Sequence, residues 1–117
     1  PTGNRVESIG VMGFEALQDQ IAPYLKTVQH AVEREWRAIL ERKYLGSRAT
    51  RAEVDCEINA DGRIVSLKVN GTPDDRVYAA LCKEAIEKAG PFGAFPFQVP
   101  DIYRNRNLEI RWSFNFL

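Results

Sequence analysis

The strongest constraint on the fold is the strict alternation of apolar and polar residues at the end of the chain. Every second position is apolar, at Leu108, Ile110, Trp112, Phe114 and Phe116. The residues between them are Glu109, Arg111, Ser113 and Asn115. A period of two predicts a long β-strand with one buried face and one wet face.

A second alternating region, at residues 51–70, predicts a β-hairpin. Its apolar positions are Ala52, Val54, Cys56 and Ile58 in the first run, and Val65, Leu67 and Val69 in the second. Between the two runs lies Asn-Ala-Asp-Gly at residues 59–62. This turn suits a type I geometry closed by a left-handed glycine at Gly62.

Before the hairpin, apolar residues recur every three or four positions and predict an amphipathic helix. We expect it to run from Ile21 to about Lys43, with Pro23 in its first turn and Gly46 as its stop. Residues 1–20 contain three glycines and have poor periodicity, so we expect an irregular arm there. The folded domain is then predicted to comprise residues 21–117.

A second helix is predicted after the hairpin. Thr72 or Asp74 is a candidate N-cap, and Gly90 followed by Pro91 ends the helix. Residues 92–100 contain three phenylalanines and two further prolines, which predicts an extended segment pressed on the core.

The element order helix, strand, strand, helix, strand predicts an α+β fold. The helix crossover returns the last strand parallel to the second strand, so it lies beside the first strand and antiparallel to it. The expected result is a three-stranded antiparallel sheet of order 2-1-3, with helices packed on one face and the last strand at an edge.

Composition excludes several functional classes. Among 117 residues, sixteen basic and sixteen acidic side chains cancel, so there is no net charge to attract nucleic acid. The apolar runs are too short for a membrane span. The residues contain no catalytic, cofactor or metal-binding motif, and the single histidine, His30, is expected at the surface. We therefore predict a protein that is not an enzyme and needs no cofactor.

The last strand is the candidate binding site. An edge strand exposes unpaired backbone donors and acceptors that an extended partner can use, or that a second copy can pair with in a homodimer. The alternative is an edge that its charged side chains protect, and that binds nothing. The predicted partner-binding residues are Leu108, Glu109, Ile110, Arg111, Trp112, Ser113 and Asn115.

The two cysteines, Cys56 and Cys82, leave two alternatives open. They are either separate buried thiols or a disulfide between a strand and a helix. In the second case, closure of a loop of this length stabilises the fold by roughly 3–4 kcal/mol.

Taken together, residues 21–117 resemble the carboxy-terminal domain of the TonB/TolA family. The hairpin Glu-Ile-Asn-Ala-Asp-Gly-Arg-Ile-Val-Ser at residues 57–66 is similar to the turn of that family. The helix end Ala-Ile-Glu-Lys-Ala-Gly-Pro-Phe at residues 85–92, followed by Phe95 and Pro96, resembles its Pro-Phe-Pro junction. The first helix, with Tyr24 early and Trp36 late, and the cysteine positions favour the TolA-like variant, in which such cysteines can be joined.

This resemblance implies a function and a location. It implies a periplasmic interaction domain of an energy transducer that is anchored in the inner membrane and coupled to a proton-driven motor through its N-terminal region. The implied partners are an outer-membrane receptor or a Tol-system protein, bound by strand addition at the last strand. The alternative is an accessory or assembly domain of another cell-envelope complex that has the same fold but no energy coupling.

Overall fold

In the part of the chain that the structure describes, four antiparallel strands form one sheet and two long helices pack on one of its faces. The computed structural model describes residues 4–44 and 49–116. In chain order, the elements are β1 (Arg5–Met12), α1 (Gln18–Lys43), β2 (Thr50–Ile58), β3 (Ile64–Val69), α2 (Arg76–Ala89) and β4 (Leu108–Phe116). The strand order across the sheet is β1-β4-β2-β3.

The predicted α+β class, the hairpin and the antiparallel placement of the last strand beside the first hairpin strand are confirmed. The three-stranded sheet is wrong, because β1 adds a fourth strand in a region expected to be an irregular arm. β1 pairs with the side of β4 that faces away from β2. The last strand is therefore internal and not at an edge.

The β2–β3 turn has the predicted geometry and supports a neighbouring loop. Gly62 has φ +83°, a left-handed conformation that favours glycine. The Asn59 side-chain oxygen accepts hydrogen bonds from the backbone N–H groups of Asp61 and Arg63, both at 3.0 Å. The Gly62 carbonyl accepts a hydrogen bond from the Phe92 N–H at 2.9 Å. The turn thus fixes the start of the segment that connects α2 to β4.

Helix α1 buries one stripe of side chains at helical spacing: Ile21, Tyr24, Val28, Val32, Trp36 and Ile39. It begins three residues before the predicted start and ends at Lys43 as predicted. The predicted stop at Gly46 lies outside the described residues. Among the residues that the structure describes, no helix has the length and apolar character to cross a membrane.

Helix α2 is capped by a different residue from those predicted. The Asp75 carboxylate accepts a hydrogen bond from the Tyr78 N–H at 2.9 Å, so the cap is neither Thr72 nor Asp74. After α2, the extended segment is only partly pressed on the core. Phe95 is buried as expected, whereas Phe97 is 87% exposed.

Candidate partner-binding strand

The inner face of β4 is part of the hydrophobic core. Leu108, Ile110, Trp112 and Phe114 are each at most 2% exposed. The Phe114 ring packs against Trp36 of α1, with the ring centroids 6.1 Å apart. Three of the predicted partner-binding residues, Leu108, Ile110 and Trp112, therefore lie in the core, where they shape the strand and do not offer a contact surface of their own.

The outer face of β4 carries the polar residues of the prediction. The Arg111 guanidinium donates two hydrogen bonds to the Asp55 carboxylate of β2, at 2.7 and 3.2 Å. Ser113 is fully buried although it is polar, because the Arg51 side chain lies over it and donates to its hydroxyl at 3.0 Å. The Asn115 side chain also donates to the Ser113 hydroxyl, at 3.1 Å. Bonds within the sheet thus occupy much of this face.

A shallow groove of about 460 Å³ crosses the same outer face near the other end of the strands. Residues of all four strands line it, among them Ile9 and Met12 of β1, Glu57 of β2, Lys68 of β3 and Glu109 of β4. Glu109 lies directly opposite both Met12 and Glu57 in the sheet register.

The side of β4 that was expected to be free is covered by β1. The two strands run antiparallel, with Arg5 opposite Asn115 and Met12 opposite Glu109. The register shifts between Ser8 and Gly10, so Ile9 is left without a partner in a β-bulge. The predicted binding edge is thus filled by a segment of the same chain.

Apart from its backbone pairing with β4, β1 is attached to the rest of the domain by few side chains. Of its eight residues only Val6 is buried, and it lies opposite Phe114. Two side chains of α1 bind the backbone of β1 and of the residue before it: the Gln29 amide donates to the Val6 carbonyl at 2.8 Å, and the Arg37 guanidinium donates to the carbonyl of Asn4 at 3.0 Å.

The opposite neighbour of β4 is attached much more firmly. Every second residue of β2 is buried, namely Ala52, Val54, Cys56 and Ile58. Val54 and Ile58 are large aliphatic residues whose burial contributes about 1.5–3 kcal/mol each, and the smaller Ala52 and Cys56 add less. The buried side chains of β2 therefore hold it more strongly than Val6 holds β1. The two sides of β4 therefore differ in how readily they open.

Both cysteines are free and buried in the structure, so a Cys56–Cys82 bond is not observed. The Cys56 sulfur accepts a hydrogen bond from the Trp112 indole N–H at 3.3 Å. Burial raises the pKa of Cys56 to about 11 and that of Cys82 to about 12. Both thiols therefore stay protonated at neutral pH, which makes them unreactive core residues.

Sequence reasoning missed Val6, Gln29 and Arg37, which together hold β1. The only signal in the sequence was the pair Val6 and Val11, whose spacing of five fits neither a helix nor a regular strand. The bulge at Ile9 explains that spacing, because one extra residue moves the next inward position by one. Gln29 and Arg37 lie on the polar side of an amphipathic helix, where the pattern gives no reason to single them out.

The chain was compared with known protein families, curated proteins and solved structures. Residues 21–110 match the family described as TonB C terminal. This range covers α1 from Ile21 onward, the β2–β3 hairpin, α2 and the first part of β4. No curated protein and no solved structure matches the chain. Because the match extends over most of the chain, this protein belongs to the TonB C-terminal domain family.

Proposed function

We propose that this chain is the periplasmic interaction domain of an energy transducer anchored in the inner membrane, and that it binds its partner through strand β4. Membership of the TonB C-terminal family supports the first part, since domains of this family are non-catalytic interaction domains of TonB-like proteins. The 26-residue helix α1 before the hairpin favours the TolA-like variant. The proposed partner is an outer-membrane receptor or a Tol-system protein.

Binding at β4 requires a free side of that strand. Because β2 lies on one side and β1 on the other, we propose strand exchange, in which an extended partner segment takes the place of β1. The observation that carries this proposal is the difference in attachment: one buried side chain in β1 against four in β2. Glu109, Arg111 and the backbone of residues 108–115 then contact the partner segment.

A reversible lock between β1 and β4 tests strand exchange. Met12 and Glu109 are directly opposite and lie on the outer face, so Met12→Cys combined with Glu109→Cys places two thiols at neighbouring cross-strand positions, where a disulfide can join the strands. The immobilised domain is challenged with solubilised envelope of the source organism. We expect the oxidised variant to retain no outer-membrane or Tol-system protein, and the reduced variant to retain it, weakened only by the loss of the Glu109 side chain.

The matched control joins β4 to its other neighbour. Glu57 is also directly opposite Glu109, so Glu57→Cys with Glu109→Cys locks a pairing that strand exchange leaves intact. In both redox states this control should retain as much partner as the reduced β1–β4 variant, which lacks the same Glu109 side chain. Retention by the oxidised β1–β4 lock would contradict the proposal and direct attention to the outer edge of β3, where a partner could add without displacing any strand.

A further inference from the structure

β1 fills a second groove, which has β4 on one side and the α1 side chains Gln29 and Arg37 on the other, and which differs from the groove on the outer face of the sheet. We infer that this groove binds two backbone carbonyls of a partner segment and selects that segment by one small aliphatic side chain. We also infer that β1 is a competing ligand built into the same chain. This inference rests on the proposed function and specifies the chemistry of the partner.

The aliphatic position is the one occupied by Val6. Its side chain is 1% exposed, whereas the other seven residues of β1 are partly or fully exposed. It lies opposite Phe114, whose ring in turn packs against Trp36. An aliphatic residue gains burial there, while a charged residue would lose its hydration without a partner. Val11, which is partly buried against the core, is the next inward position and adds a smaller apolar contact.

The backbone contacts come from two side chains of α1. Gln29 and Arg37 bind the carbonyls of Val6 and Asn4, which are two residues apart and therefore on the same side of the strand. Arg37 is held in position by Glu33, which accepts its hydrogen bond at 3.0 Å, and by the Trp36 ring, 5.7 Å from its guanidinium carbon. Because both acceptors are main-chain oxygens, these contacts suit any extended segment whatever its sequence.

The partner chemistry follows from these contacts. We expect an extended segment that runs antiparallel to β4, with a valine or similarly small aliphatic residue at the position of Val6. β1 competes at the high effective concentration of a tethered segment, which is in the millimolar range for short connections. A free segment that makes only the contacts of β1 therefore binds the wild type weakly, and binds better when the attachment of β1 is weakened.

The test uses the whole chain and a labelled synthetic peptide with the sequence of residues 4–13. The variant Val6→Asp weakens β1 in the chain, because it puts a carboxylate at the buried position. By fluorescence anisotropy, we expect this variant to bind the peptide at least tenfold more tightly than the wild type does. Val6→Ala weakens the same contact without a charge, and replaces the aspartate variant if that one lacks the wild-type far-ultraviolet spectrum.

Variants of peptide and groove then separate the recognition groups. A peptide with aspartate at the Val6 position should lose binding, whereas a peptide with lysine at the exposed Ser8 position should bind as the parent does. In the Val6→Asp chain, Gln29→Ala and Arg37→Ala should each weaken binding about fivefold. Arg34→Ala removes an exposed arginine of the same helix, and should change nothing.

The outcomes distinguish this inference from the proposed function. Equal binding of the parent and aspartate peptides, or no effect of Gln29→Ala and Arg37→Ala, would overturn the recognition rule even if the β1–β4 lock still abolishes partner retention. If the peptides bind in the expected pattern but the oxidised β1–β4 lock still retains the partner, the recognition rule holds. Strand exchange as the route to the partner is then wrong.

Discussion

Asp75 fixes the first turn of α2 through its carboxylate. One oxygen accepts from the Tyr78 N–H, and the other accepts from the Tyr44 hydroxyl at 3.0 Å, which connects the cap to the residue that follows α1. The backbone hydrogen bond lowers the pKa of Asp75 below its ordinary value. The charged form is therefore the one that the folded state favours.

We predict that Asp75→Ala lowers the free energy of unfolding at pH 7 by about 1 kcal/mol, because a helix N-cap is lost. Asp75→Asn, which keeps an oxygen acceptor, should lose much less. Since the folded-state pKa is lowered, the contribution of the charge is present above the unfolded-state pKa and disappears as pH falls through the folded-state value. Urea denaturation at pH 7 and near pH 2 measures both effects. A gap between wild type and Asp75→Asn that does not shrink in acid would contradict the role of the charge.

At the scale of elements, the turn of the β2–β3 hairpin packs against the loop after α2 with no room for a side chain at Gly62. A Cβ atom added there would lie 2.0 Å from the Gly93 carbonyl oxygen. Gly93 also has a positive φ, of +84°, but a Cβ at that position meets nothing within 4 Å. The two glycines share a backbone conformation and differ in the space around them.

This pair gives a matched prediction about the hairpin. Gly93→Ala should cost about 1–2 kcal/mol, from the left-handed conformation alone. Gly62→Ala should cost about 3 kcal/mol or more, because the contact with the loop backbone is lost as well. Thermal and urea denaturation of both variants provide the comparison. Equal losses would mean that the loop moves aside at little cost.

The elements that sequence reasoning found are those whose residues alternate between core and solvent. In β2, and among the apolar residues of β4 up to Phe114, every second side chain is buried, and in α1 the buried stripe has the helical spacing. Burial therefore imposes a period on the sequence that can be recognised in advance. The sequence of β1 shows no such period, because only Val6 is buried and the bulge at Ile9 breaks the alternation. Its pairing depends on backbone hydrogen bonds and on two side chains of α1, which leave no pattern. The error in β1 is also the reason that β4 was expected at an edge.

For the whole molecule, the free thiols imply that stability does not depend on redox conditions. We predict the same free energy of unfolding with and without reductant, within about 0.5 kcal/mol. A thiol reagent should modify Cys56 and Cys82 only after denaturant is added, because both are buried. A loss of roughly 3–4 kcal/mol on reduction would instead show that the two cysteines are joined in solution.

The antiparallel pairing of β1 with β4 also determines how the domain responds to a pulling force. Arg5 lies opposite Asn115, so both ends of the described chain emerge at the same end of this strand pair. Tension between the two ends loads the hydrogen bonds one after another, like a zipper opened from its end, and not all together as in shear. β1 is thus the part of the sheet that yields first to such a pull, and its release bares the strand that we propose as the partner site.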